Sequence, residues 1–242
     1  MRILILAGTS EARDLSQILA TRSDLQVTAS LVGATRAPRD LGVETRMGGF
    51  GGADGLAQYL RDTKIDMLID ATHPFAATMT NTAAKVCADL GLRHVILQRD
   101  EWIAGAGDDW HMIDAPSDTP ALIARGKTVF LATGRQTLAQ YECLSGRKLL
   151  ARVIDPPKKP FPFDGGAFVQ GRPPFSIDDE IALFQLLGVD WLVVKNSGGA
   201  ASRSKLDAAR ALKMPVAMLR RPKLPVATRV STVDECMTWI NT

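Results

Sequence analysis

Cysteine is scarce: the 242 residues contain Cys87, Cys143 and Cys236 and no others. They are odd in number, far apart, and form no CxxC pair or metal-like spacing with His73, His94 or His111. A disulfide framework and a zinc module are therefore not expected, and the thiols read as reduced. Aromatics make up only 6% of the chain, so the core must rest mainly on Val, Leu, Ile and Ala. The net charge of +3 is too small to imply nucleic acid by itself. The apolar run Ile3–Ala7 is ended by Gly8 and is too short for a signal segment or a membrane span. An untargeted, cytoplasmic protein with no membrane partner is expected. There is no internal repeat, no Ser/His/Asp triad and no carboxylate pair.

What is present is an ordinary globular balance, with 46% apolar and 23% charged residues. Short apolar runs alternate with amphipathic stretches. Strands are expected over residues 3–7, 25–32, 41–47, 65–71, 94–98, 129–132, 149–153, 167–170, 191–195 and 216–219. Helices are expected over 11–21, 53–63, 76–90, 117–125, 177–187, 203–212 and 233–240. The proline-rich segment from Asp155 to Asp164 interrupts regular structure. Continuous apolar strands separated by helices imply parallel sheets covered on both faces. The pattern fits two α/β lobes better than a single sheet. The division falls between residues 99 and 127 and is placed at 115/116, giving lobes 1–115 and 116–242 with a ligand cleft between them.

Several strand ends carry chemistry. Gly8-Thr9-Ser10-Glu11-Ala12-Arg13 follows the first strand, where a tight turn and a helix N-terminus favour an anion. The full dinucleotide fingerprint is absent, because Ser10 and Arg13 stand where its later glycines belong. After the second strand come Gly33, Ala34, Thr35 and Arg36, with no carboxylate before Asp40. A hydroxyl and guanidinium there suit a ribose 2′-phosphate, so any dinucleotide is expected to be NADP rather than NAD. Gly48-Gly49-Phe50-Gly51-Gly52 offers close backbone approach and a ring able to pack on a flat ligand. Asp70-Ala71-Thr72-His73-Pro74-Phe75-Ala76 lies at another strand end, where His73 is able to position a ligand or donate a proton. Thr133-Gly134-Arg135 and Lys195-Asn196-Ser197-Gly198-Gly199 repeat the pattern in the second half. That half also carries Lys158, Lys159, Arg172, Arg203, Lys205, Arg220, Arg221, Lys223 and Arg229, a surplus of positive charge suited to an anionic small molecule. Many anion-holding turns without a nucleophile suit hydride transfer, in which the cofactor carries the chemistry.

Taken in order, GTSEAR, GGFGG, DATHPFA, the TG pair, KNSGG and Arg221-Pro222 resemble the precorrin-6A reductase family. The resemblance implies two Rossmann-like or flavodoxin-like lobes holding NADPH. It also implies hydride transfer to precorrin-6A, giving precorrin-6B in aerobic cobalamin synthesis. The alternatives are the cobalt-precorrin-6A enzyme of the anaerobic route, a non-redox two-lobed tetrapyrrole or nucleotide enzyme, and a nucleotide sensor. The expected cofactor residues are Gly8, Thr9, Ser10, Glu11, Thr35, Arg36, Gly49, Phe50, Gly51, Thr72, His73, Pro74, Phe75 and Gly134. Arg99, Lys195, Asn196, Ser197, Gly198 and Arg203 are expected to meet the polyanionic ring, arginine best where its fork matches a carboxylate. A monomer or small homo-oligomer is expected, with no metal of its own.

Overall fold

The computed structural model describes residues 1–32, 40–155 and 159–242. Among them twelve strands form two six-stranded, wholly parallel sheets. The chain divides into two compact units, Met1–Asp100 with Pro222–Thr242, and Glu101–Arg221.

In the first unit the strands are β1 (Arg2–Ala7), β2 (Gln26–Leu31), β3 (Glu44–Met47), β4 (Met67–Ala71), β5 (Arg93–Leu97) and β12 (Thr228–Val230), in the order β12-β5-β4-β1-β2-β3. Helices α1 (Ser10–Leu19), α2 (Gly52–Asp62), α3 (Ala77–Leu90) and α7 (Val233–Ile240) accompany them. The apolar runs are continuous because both faces of the sheet are covered. Ile3, Ile5, Ile69 and Val95 pack with Leu15 and Leu19 of α1 and Cys236 and Ile240 of α7. Leu4, Leu6 and Leu68 pack instead with Leu56 and Leu60 of α2 and Ala83 and Val86 of α3. Burial pushes the Cys87 and Cys236 thiols up to about 12, which leaves them unreactive packing groups.

The second unit has β6 (Trp110–Ile113), β7 (Thr128–Ala132), β8 (Lys148–Val153), β9 (Ala167–Gln170), β10 (Trp191–Lys195) and β11 (Val216–Leu219), in the order β6-β11-β10-β7-β8-β9. Its helices are α4 (Thr119–Leu122), α5 (Ile177–Leu187) and α6 (Ser204–Ala211), with 3-10 turns at Pro116–Asp118, Arg135–Leu144 and Ala200–Ser202. Phe130, Leu192, Val194, Val216 and Met218 form its core with Phe184 and Leu206.

Both sheets have the doubly wound order 3-2-1-4-5-6, with the sixth place filled from elsewhere in the chain. β6 follows the five leading strands of the first unit yet pairs with β11 of the second. β12 follows the second unit yet pairs with β5 of the first. The expected contiguous split at 115/116 therefore differs from the observed units. The first unit ends at Asp100 and regains the chain from Pro222. The helix expected over 117–125 is a 3-10 turn followed by a single short helix, with Pro116 and Pro120 at their starts.

Candidate functional site

In the first sheet the winding direction changes between β1 and β4, and the segments after these strands carry two of the expected motifs. In open α/β sheets ligands gather at the carboxyl ends of such a pair. A Cβ added to Gly8 would lie 3.2 Å from the His73 amide nitrogen and 3.4 Å from Thr72 Cα. The two turns are thus packed backbone to backbone, and a residue larger than glycine would push them apart. Thr9 ties them together. Its hydroxyl donates to Ala71 O at 3.0 Å and accepts from Ala12 N at 3.1 Å, which makes Thr9 the N-cap of α1. Asp70, missed as a functional residue, is buried and accepts from Thr72 N at 3.0 Å, fixing the start of the second turn.

Glu11 stands in the first turn of α1 and accepts from Arg99 at 2.6 Å and from Ser10 at 3.2 Å. Burial acts to raise the Glu11 pKa. Its own backbone N–H and the Arg99 guanidinium outweigh burial and leave the carboxyl below its ordinary value. Arg99, expected on the substrate side, is thus joined to the expected cofactor residue Glu11.

His73 Nδ1 accepts from Phe75 N at 3.2 Å. A ring that accepts at Nδ1 carries its proton on Nε2, and protonating Nδ1 would set two donors against each other. Nδ1 is thereby committed to holding the turn. Pro74 and Phe75 complete the turn, closed by Ala76 N donating to His73 O at 2.7 Å. α3 then follows the N-cap Ala76, and α2 the N-cap Gly51, without a side-chain cap at either. Uncapped amides at a sheet's carboxyl edge suit an anion.

The glycine run follows β3, and Gly48, Gly51 and Gly52 have positive φ. Its organiser is Arg46, which the sequence reading passed over. The guanidinium donates to Ser30 Oγ at 2.7 Å, to Gly48 O at 3.0 Å and to Gly49 O at 3.1 Å. It also lies 3.9 Å from the centre of the Phe50 ring, while Tyr59 meets that ring edge-on at 5.2 Å. Phe50, expected to pack on a flat ligand, instead has Arg46 over its ring. The signal available in sequence was weak, namely an arginine two residues before a glycine cluster. Thr35 and Arg36 lie outside the described residues.

The remaining expected residues belong to the second unit. Gly134 follows β7 at the start of a 3-10 helix and shares no sheet with the other expected cofactor residues. Lys195 ends β10 half-buried, and burial lowers its pKa. Ser197 is buried, with its amide donating to Lys195 O at 2.7 Å, and Gly198 turns the chain at φ 67°. Asn196 is buried and engaged. Its side chain accepts from Trp102 N at 2.9 Å and donates to Trp102 O at 3.0 Å, and its carbonyl accepts from Arg221 at 2.7 Å. It braces the turn. Arg203 is paired with Asp207 at 3.2 Å and stands 3.9 Å from Asp108, which also holds Arg210 through two 2.8 Å contacts.

Of a second group at the same sheet edge, only Lys205 was legible in the sequence, as part of the basic surplus. Arg152, near the end of β8, forms a two-pronged pair with Glu180 in the first turn of α5, at 2.6 and 2.7 Å. Its guanidinium lies 4.2 Å from the Phe175 ring centre. Lys205, in the first turn of α6, donates to Ser202 O and stands 5.7 Å from the Trp102 ring centre. Among the described residues no group of three His, Cys, Asp or Glu is arranged to hold a metal, and no helix is long and apolar enough to cross a membrane.

Comparison with known proteins follows the same outline. A family model described as precorrin-6x reductase CbiJ/CobK matches residues 2–241. The chain is 44% identical to a precorrin-6A reductase of Rhodococcus erythropolis, over 100% of this chain and 98% of that protein. It is 28% identical to a cobalt-precorrin-6A reductase of Priestia megaterium, over 96% and 95%. A solved structure described as CobK precorrin-6A reductase superposes with a TM-score of 0.94 at 36% identity, covering 100% of this chain and 96% of the other.

Proposed function

The chain belongs to the precorrin-6x reductase family, and from that membership we propose that it reduces precorrin-6A to precorrin-6B with NADPH during cobalamin synthesis. The observation that supports this reading best is the close packing of Gly8 on Thr72 and His73, at the change of winding direction of a doubly wound sheet. Backbone brought that near leaves room for a dinucleotide to lie across both turns. The uncapped starts of α2 and α3 supply further amide donors. NADPH supplies a hydride at its nicotinamide carbon when bound. In this reading its phosphates lie by Gly8, Thr9 and Ser10, and its nicotinamide by Gly49–Gly51 and Thr72–Phe75. Thr9 fixes the turn, His73 positions the ligand, and Arg46 holds the glycine run in shape. The second unit takes the ring carboxylates. Arg203 and Lys195 are candidates for that contact, with Ser197 and Gly198 shaping the turn.

The metal-free substrate is favoured because the relatives described as precorrin-6A reductases are 38–44% identical, against 25–28% for those described as cobalt-precorrin-6A reductases. Incubation with NADPH and precorrin-6A, followed by mass spectrometry, tests the reaction. A gain of two hydrogens with matching NADPH consumption is expected, and an unchanged ring mass contradicts it. Cofactor choice has its own test. Arg36→Ala is expected to weaken NADPH by about 1.5–3 kcal/mol, as for a hydrogen bond to a charged group, and NADH by much less. Equal losses on titrating both cofactors would place the 2′-phosphate elsewhere.

A further inference from the structure

We infer that Arg99 is a positioning residue of the cofactor site, whose charge cancels that of Glu11 and so admits the NADPH pyrophosphate to the start of α1. This role rests on the proposed placement of NADPH. It moves Arg99 from the ring carboxylates, where the sequence placed it, to the cofactor.

Glu11 is the second residue of α1, directly after Ser10 and close to the N-cap Thr9. A carboxylate in a first turn suits the positive end of the helix dipole. It is also a fixed negative charge beside the amides that a pyrophosphate would use, and two anions at one helix start repel each other. The turn assigned to the phosphates therefore carries, within its own motif, a residue that opposes the ligand.

Arg99 removes the conflict. Its Nη1 donates to Glu11 Oε2 at 2.6 Å, and Ser10 Oγ donates to the same oxygen at 3.2 Å. The Arg99 and Glu11 side chains are only 16% and 21% exposed, so solvent screens their charges only in part. The fold, not the local sequence, brings them together. Arg99 lies just beyond β5, and β4 stands between β5 and β1 in the sheet. To reach α1 the guanidinium must span the width of β4, whose following turn is packed on Gly8. Both charges lie within the first unit, at the edge assigned to the cofactor. Joined, they present no net charge to an anion. Glu11 alone would repel it, and Arg99 alone would attract it.

The test is a double-substitution cycle on NADPH affinity, read by titrating the fluorescence of the reduced nicotinamide, with Arg99→Met, Glu11→Gln and the two together. Arg99→Met is expected to weaken NADPH about tenfold, Glu11→Gln to tighten it by up to about threefold, and the double variant to return to within about threefold of wild type. Raising the ionic strength is expected to shrink the Arg99→Met loss, because salt screens the repulsion. A side chain that merely packs would show neither the recovery nor the salt effect. A carbon-13 carboxyl titration of the protein without cofactor checks the pair independently of NADPH. The Glu11 carboxyl is expected to titrate below the ordinary glutamate range in the wild type. It is expected to titrate higher in Arg99→Met, where burial keeps its raising effect and the guanidinium no longer opposes it. Equal losses in Arg99→Met and the double variant would make Arg99 a direct phosphate contact and overturn the inference. Unchanged affinity in Arg99→Met, or a Glu11 titration indifferent to Arg99, would overturn it as well. A wild-type protein with no affinity for NADPH, in which the Glu11 titration still responds to Arg99, overturns the placement of the cofactor and the inference with it.

Discussion

Glu180→Ala is expected to destabilise the second unit by about 3–5 kcal/mol, the cost of leaving a buried partner charge uncompensated. Glu180 is 1% exposed and the Arg152 side chain 12%. Removing the carboxylate strands a guanidinium between the Phe130 and Phe175 rings. Arg152 Nε is buried without a hydrogen-bond partner among the described residues, so the pair with Glu180 is what satisfies the rest of the group. The double variant Arg152→Met with Glu180→Leu is expected to recover most of the loss, because well-packed apolar groups replace buried ion pairs at little cost. Urea unfolding followed by tryptophan fluorescence, which Trp102, Trp110 and Trp191 make sensitive to this unit, measures both. A single variant as stable as the wild type would show that the pair contributes nothing.

Gly55→Ala is expected to disrupt the first unit although helix propensity argues the reverse. Gly55 lies inside α2, where alanine ordinarily adds about 1 kcal/mol. Here a Cβ would lie 1.7 Å from Phe50 O and 2.8 Å from Phe50 C, atoms of the glycine run itself. Two non-bonded atoms cannot share that space, so the turn or the helix must move. Overpacking of this kind costs about 1–3 kcal/mol, occasionally more. The displaced turn is the one assigned to the nicotinamide, so NADPH affinity is expected to fall at least about tenfold, or about 1.4 kcal/mol. Thermal melting and NADPH titration of the variant measure the two effects. A more stable variant with unchanged affinity would mean that propensity governs and that the turn plays no part in binding.

The sequence made the alternation of strand and helix readable wherever burial on both faces left a continuous apolar run. β1 as ILILA and β10 as WLVV are examples, and α5 and α7 were legible to the residue. The two strands missed, β6 (WHMI) and β12 (TRV), are short and only partly buried, so no apolar run marks them. They are also the two that leave chain order, which is why the unit boundary was misplaced. Long-range pairing of an edge strand leaves no local trace. At the site, motifs dense in glycine announced themselves, whereas Arg46 and Gly55 did not. Each owes its role to neighbours distant in sequence or to a carbonyl no pattern reveals. Asn196 shows the converse. A polar residue in a promising turn proved to be the brace of Trp102.

The central claim is that the carboxyl edge of the first sheet holds NADPH across the turns after β1, β3 and β4. Hydrogen exchange of the protein with and without saturating NADPH tests it most directly. Added protection is expected in peptides covering 8–13, 48–55 and 72–77, with NADH giving less at equal concentration. Protection confined to the second unit, or none at all, would contradict the claim.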